Sequence, residues 1–192
     1  MNKIIINPFE KLSETQLFAI GLGLTIGGSL LGYLFNTTFD GVIDVHPYPG
    51  VTIAHVFTDN AINTVSLFLP LFILGLIINK KTRFIDVLNS VLIARSPFYL
   101  LALGNANNFF ISLDSKLRVS NPMDITFAAL DIVVITIFAI FSIAFLVWFV
   151  ALLYNGFKTA TNIKLTQHKV AFGFAIILGE ALSKLLMYII NY

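Results

Sequence analysis

The sequence contains no cysteine and few charged residues. The absence of cysteine from all 192 residues excludes disulfides, thiolate catalysis and cysteine-ligated metals. Charged residues make up only 11% and hydrophobic residues 57%, whereas a soluble domain carries roughly 25% charged residues. The mean hydropathy is +0.89, and the formal net charge is only +2. The composition predicts an integral membrane protein whose surroundings are the lipid bilayer, and we expect no nucleic-acid partner.

Five apolar segments are long enough to cross a bilayer, because about 20 helical residues span its hydrocarbon core. They lie at 17–35, 61–79, 84–103, 123–154 and 170–190. The chain is therefore predicted to be one all-α domain over 1–192, a polytopic bundle of five transmembrane helices. The fourth segment is longer than a span requires, so we expect it to tilt or to project from the membrane.

Turn and capping residues suggest where the fourth span begins and ends. Asn121 can cap a helix whose first turn holds Pro122 and Asp124. The sequence Tyr154-Asn155-Gly156 is typical of a helix end. Polar loops are predicted over 36–60 and 104–121.

The basic residues predict the topology. If the five spans alternate in direction, only Lys116 and Arg118 fall on one side of the membrane, and eight basic residues fall on the other: Lys3, Lys11, Lys80, Lys81, Arg83, Lys158, Lys164 and Lys169. By the positive-inside rule, the N-terminus is predicted to be cytoplasmic and the C-terminus to lie outside. The expected location is a bacterial cytoplasmic membrane.

Four ionisable residues interrupt the apolar spans: Arg95, Asp131, Glu180 and Lys184. Such residues in a bilayer either hold helices together or mark a functional path. Counting 1.5 Å per residue from the helix ends places Arg95 level with Glu180, and Asp131 level with Lys184. Glu180 and Lys184 also lie four residues apart on one helix face, so they can contact each other. We therefore expect the two pairs of opposite charge to form a single intramembrane network that ties spans three, four and five. A transport or proton-relay path is the alternative.

The first span contains two small-x-x-x-small patterns, Gly23 with Gly27 and Gly28 with Gly32. Small residues at this spacing allow another helix to approach closely. We expect them to serve helix packing, within the chain or between copies of it.

The first polar loop offers the metal-ligand candidates His46 and His55, near Asp40, Asp44 and Asp59. Imidazole and carboxylate groups suit zinc, but the spacing matches no closed zinc motif, so the pattern favours solvated loop residues. The sequence has no nucleophile elbow, no zinc-protease motif and no phosphate-binding glycine loop. We therefore predict a non-enzymatic protein without a cofactor.

Three parts of the chain resemble the Yip (Ypt-interacting protein) domain family of multi-pass membrane proteins, in its prokaryotic form. They are NPFEKL at 7–12, the basic turn between spans two and three, and LVWFVALLYNGFKTATNIKLTQHKVAFGFAI at 146–176. The resemblance implies five spans, a cytoplasmic N-terminus and a short external C-terminus. Eukaryotic relatives bind Rab-type GTPases through a long N-terminal region, which the sixteen or so residues before the first span do not match, so that role is not carried over.

The function predicted from the sequence is a membrane scaffold or partner-binding protein, with a protein partner or self-association. The alternative is a small transporter or channel component that uses the four buried charges.

Overall fold

The computed structural model describes residues 3–119 and 127–191. Five stretches of the described chain are long and apolar enough to cross a membrane: Glu14–Leu34, Ile53–Ile78, Phe84–Arg118, Ala129–Thr161 and Thr166–Ile190. The predicted all-α, multi-pass membrane architecture is therefore confirmed.

The helices are α1 (Lys3–Ile6), α2 (Glu14–Leu34), α3 (Ile53–Ile78), α4 (Phe84–Ala94), α5 (Ser96–Leu101), α6 (Phe109–Val119), α7 (Ala129–Thr161) and α8 (Thr166–Asn191). Two 3₁₀ helices cover Pro8–Glu10 and Ala102–Asn108, and two short strands, β1 (Thr37–Thr38) and β2 (His46–Pro47), pair antiparallel. One end of the bundle carries Lys80, Lys81, Arg83, Lys158 and Lys164 and is called the basic end. The opposite end carries residues 36–52 and is called the loop end.

The first two spans begin earlier than their apolar runs. Ser13 caps α2, because its hydroxyl accepts from the Gln16 N–H while the Gln16 side chain accepts from the Ser13 N–H. Thr52 caps α3 by accepting from the N–H of His55. The predicted loop 36–60 is therefore too long at its C-terminal end, since α3 starts at Ile53.

The third span, predicted over 84–103, is interrupted within that range. α4 ends at Ala94 and α5 starts at Ser96, and Pro97 in the first turn of α5 has no N–H to continue the ladder. A second break at Asn105, Ala106 and Asn107 precedes α6. Residues 109–119, predicted as loop, are therefore helical.

The fourth span continues beyond its predicted end. α7 runs to Thr161, and Asn162 then adopts a left-handed conformation whose N–H donates to Lys158 O. Asn155 and Gly156, which resembled a turn in the sequence, have packing roles instead. The Asn155 side chain donates to Ile6 O, and Gly156 lies against Ser90. The predicted cap at Asn121 to Asp124 lies outside the described residues.

The helices form a bundle, and α7 contributes to its core mainly through the half nearer the basic end. α8 packs along α3, whereas α7 packs against α4 and α5. Every buried residue of α7 lies at or after Phe149, including Leu153 and Phe157, which join Val87 and Val91 of α4 in the main apolar core. The half of α7 nearer the loop end is therefore sparsely covered by the described chain.

The segment 36–52 enters the bundle at the loop end. Phe39 and Val42 are fully or almost fully buried, and the Phe39 ring meets the Tyr99 ring edge-on at 5.5 Å between centroids. This buried loop provides polar partners for side chains that the sequence alone places in the membrane.

Candidate functional site

The break in the third span places Arg95 at the centre of a polar cluster. Its side chain is 1% exposed, and its Nη2 donates to Asn60 Oδ1 at 3.0 Å. The Asn60 Nδ2 then donates to Ser29 Oγ at 2.9 Å, and Ser29 Oγ donates to Thr25 O at 2.9 Å. A chain of hydrogen bonds therefore connects the third span to α3 and α2.

Tyr99 completes the surroundings of the Arg95 guanidinium. The Arg95 Cζ lies 5.8 Å from the centroid of the Tyr99 ring, within the range of a cation–π contact. The Tyr99 hydroxyl donates to Thr25 Oγ1 at 3.2 Å. Gly28 makes room for the Tyr99 ring, because a Cβ at this position would overlap it.

Several buried polar atoms of this region have no hydrogen-bond partner in the described chain. They are the Nε and Nη1 of Arg95, the Oδ1 of Asn63 and the Oγ of Ser66. Asn60, Asn63 and Ser66 follow one another at intervals of three and so lie along one side of α3. The Asn63 Nδ2 donates to Phe39 O at 2.5 Å, so the buried loop supplies one of its partners.

The predicted pairing of Glu180 with Arg95 is wrong. Its Oε2 accepts from the N–H of Ile43 at 3.0 Å, and its Oε1 lies 3.6 Å from Lys184 Nζ. A Cβ at Gly41 would overlap the Glu180 carboxylate, so the absence of a side chain there permits the close contact. Glu180 therefore fastens the buried loop to α8.

The predicted pairing of Asp131 with Lys184 is wrong as well. Lys184 Nζ lies 2.5 Å from Asp44 Oδ2, with both side chains about half exposed at 47% and 48%. Asp131 lies 3.9 Å from Lys116 Nζ on α6. Arg95 thus lies in a buried cluster, whereas Glu180, Lys184 and Asp131 pair at the loop end. Equal depth along two helices does not make their side chains face each other.

Asp40 is a further acidic group in the buried loop. Burial raises the pKa of the Asp40 carboxyl above its usual 3.8, and the neighbouring Asp44 raises the pKa further, against the opposing effect of Lys184. Its Oδ1 is buried without a hydrogen-bond partner in the described residues. The loop end therefore holds a carboxyl group that keeps its proton to a higher pH than an exposed carboxyl group does.

The four glycines of the predicted packing motif divide into two pairs. Gly28 lies against Tyr99, and a Cβ at Gly32 would come within 2.8 Å of both Phe39 and Thr37. Gly23 and Gly27 have nothing within contact distance of a Cβ in the described chain. Gly28 and Gly32 thus allow other parts of the chain to pack closely against α2.

The two histidines of the metal hypothesis lie in separate elements. His46 is exposed on β2, and His55 lies in the first turn of α3. Within 3–119 and 127–191, no group of three His, Asp or Glu side chains is arranged to hold a metal ion.

The residues missed by the sequence reasoning are the neutral partners of Arg95. Asn60 and Ser29 carry no charge, and Asn60 was assigned to a loop. The spacing of Asn60, Asn63 and Ser66 by three residues was the available signal, because it marks one side of a helix.

Comparison with protein-family models, curated proteins and solved structures finds no match to this chain.

Proposed function

We propose that this protein, which resembles the Yip family, is a non-enzymatic scaffold of the membrane that binds a protein partner along α7. The observation that supports the proposal is the exposed apolar face on the sparsely covered half of α7. On this half Ile140, Ile143 and Val147 are 62%, 65% and 64% exposed. At about 100° per residue they lie opposite Leu152 and Gly156, which face the bundle.

The wide apolar face of α7 supports a helical partner in the membrane. In the described chain, this half of α7 contacts the third span on one side, and the opposite side offers two turns or more to another transmembrane helix. Such helices associate through close van der Waals packing, because lipid provides no hydrophobic drive between them. The partner proposed here is another protein or a second copy of the chain.

The distribution of basic residues supports the proposed orientation. The basic end carries Lys80, Lys81, Arg83, Lys158 and Lys164, so it is assigned to the cytoplasm by the positive-inside rule. The N-terminus then lies inside and the C-terminus outside. The proposed location is a bacterial cytoplasmic membrane.

A photocrosslinking experiment in native membranes tests the scaffold function. A photoreactive amino acid replaces Ile140 or Ile143 on α7 in two variants, and Phe174 or Ile177 on α8 in two controls that are 67% and 65% exposed. We expect a discrete protein adduct from the α7 positions and none from the controls. Equal adducts from both helices, or none from α7, would contradict the proposal. Two differently tagged copies distinguish self-association from a second protein.

A transport path is the second candidate function. The observation in its favour is the set of buried polar atoms around Arg95 without partners in the described chain. A water-filled path requires solvent to reach Asn63 and Ser66, whereas a structural cluster keeps them dry.

The absence of native cysteine makes this second candidate easy to test. Asn63→Cys and Ser66→Cys are each treated with a membrane-impermeant thiol reagent, with Ser115→Cys on exposed α6 as the labelled control. We expect protection at Asn63→Cys and Ser66→Cys. Labelling at rates close to that of Ser115→Cys would favour the transport path.

A further inference from the structure

An apolar groove lies between the third span and α7 at the loop end. Its cavity volume is about 450 Å³. One wall is formed by Leu100, Leu103 and Gly104, and the other by residues of α7 from Val134 to Phe145. We call it the α7 groove. Among the described residues, none of those that line the groove is charged, so it suits an alkyl chain.

The floor of the groove is formed by aromatic packing. Gly104 lies against Phe138, because a Cβ there would overlap the ring, and Phe138 packs on Phe110 at 4.6 Å between centroids. A second cavity of about 270 Å³ lies on the other side of Phe138 and shares Leu101 and Phe138 with the first. The lining of the second cavity is largely apolar but includes Asp44 and Ser142. Two adjacent cavities separated by one ring fit a ligand with two chains.

The length of the groove matches one leaflet of a bilayer. Its α7 wall, from Val134 to Phe145, extends about 16 Å at 1.5 Å per residue. The hydrocarbon core is roughly 30 Å thick, so one leaflet contributes about half of that. The groove therefore accommodates an extended acyl chain from the loop end to the middle of the membrane.

A cation lies at the mouth of the groove. Asp131 is one turn beyond Val134 on the same side of α7, and its Oδ2 is 3.9 Å from Lys116 Nζ. The Lys116 side chain is 65% exposed, so its ammonium can also contact a second anion. A phosphate ester above two acyl chains is complementary to the ammonium group, which binds phosphate as a point charge, and the Asp131 carboxylate offsets part of that charge.

We propose that the α7 groove binds a two-chain glycerophospholipid, with its phosphate at Lys116 and its chains on either side of Phe138. The lipid occupies the side of α7 that faces the third span. Ile143 lines the second cavity and so borders both the lipid and the partner face, whereas Ile140 and Val147 line neither cavity. A partner that contacts Ile140 and Val147 therefore leaves the lipid site open.

The single tryptophan provides a probe for this site. Trp148 lies on α7 just beyond the groove, with its ring centroid 6.2 Å from that of the lining residue Phe145. Bromine quenches tryptophan fluorescence at short range. Phospholipids brominated near the ends of their acyl chains, titrated into the purified full chain in detergent, should quench Trp148 in a saturable manner.

Two neighbouring valines give a matched pair of variants. Val134→Phe fills the mouth of the groove, whereas Val133→Phe adds the same side chain at a position that is 51% exposed and outside the lining. We expect Val134→Phe to abolish saturable quenching and Val133→Phe to retain it. Linear quenching that is equal in the wild type and both variants would overturn the proposal.

Comparison of three brominated ligands, together with a second variant, distinguishes the possible outcomes. Brominated fatty acid and brominated single-chain lysophospholipid should quench only at much higher concentration than the two-chain phospholipid, and equal potency would overturn the phospholipid assignment. If Val134→Phe does not fold, Lys116→Gln is used, with Arg118→Gln as its control. A several-fold loss of phospholipid affinity in Lys116→Gln alone supports the proposal, and no difference between the two contradicts it.

Discussion

Arg95 in the third span and Asn60 in the second are joined by a buried hydrogen bond of 3.0 Å between Nη2 and Oδ1. A guanidinium in a membrane interior requires such partners, because desolvation of a charge is expensive. The bond continues through Ser29 into α2. One cation thus links three spans through neutral side chains rather than through an opposite charge.

Removal of the Asn60 amide should destabilise the bundle. Asn60→Leu leaves the Arg95 guanidinium without this acceptor, and we expect a loss of about 2 kcal/mol, the range for hydrogen bonds to charged groups. The double variant Arg95→Met with Asn60→Leu should recover most of the loss, because both polar partners are then replaced. Thermal unfolding in detergent measures both. A double variant that is less stable than Asn60→Leu would contradict this interpretation.

Adjacent glycines of α2 should differ sharply in their tolerance of a side chain. Gly28→Leu forces a side chain into the Tyr99 ring, and overpacking of this kind destabilises by roughly 1–3 kcal/mol. Gly27→Leu has open space in the described chain and should be tolerated. Unfolding temperatures of the two variants provide the comparison. Equal destabilisation would indicate that Gly27 has a contact outside this chain, such as a second copy.

Composition was sufficient to predict the five spans, but not the partners of their polar residues. Each apolar run indicates that a helix crosses the membrane, whereas the side that a residue faces depends on packing. Gly27 and Gly28 are about 100° apart on the helix, and only one of them meets Tyr99. Glu180 was placed at the depth of Arg95, yet it faces the backbone of Ile43.

The buried loop explains the remaining errors. Its polar composition predicts a solvated segment, but Phe39 and Val42 are buried and its backbone accepts from Asn63 and donates to Glu180. A hydropathy pattern indicates whether a segment prefers water or lipid, and it contains no signal that a polar loop enters a helix bundle. The start of α3 was misplaced because its first two turns carry polar residues such as His55, Asp59 and Asn60, which lower the local hydropathy.

The attachment of this loop should depend on Glu180. Glu180→Ala removes the acceptor for the Ile43 N–H, and we expect faster proteolysis within residues 36–52. Glu180→Gln retains an acceptor oxygen and should remain close to the wild type. Limited proteolysis followed by mass spectrometry of the fragments provides the measurement. If Glu180→Ala and Glu180→Gln are both cleaved faster than the wild type and at equal rates, the charge, and not the hydrogen bond, holds the loop.

The pH dependence of stability should reveal the buried carboxyl of Asp40. Burial and Asp44 raise its folded pKa above 3.8, so the folded state favours the neutral form. The stabilisation that this provides is complete below pH 3.8, the value of the unfolded chain, and is lost as the pH rises through the folded pKa. Asp40→Asn is always neutral, so we expect it to unfold at a higher temperature than the wild type at neutral pH.

This advantage of Asp40→Asn should shrink as the pH falls toward 3.8, because the wild-type carboxyl then takes up its proton. Asp114→Asn on exposed α6 is the control, and its difference from the wild type should not follow the same course. Thermal unfolding of the three proteins across this pH range measures the effect. An advantage of Asp40→Asn that is constant with pH would show that the amide gains a hydrogen bond, and that the ionisation of Asp40 does not limit stability.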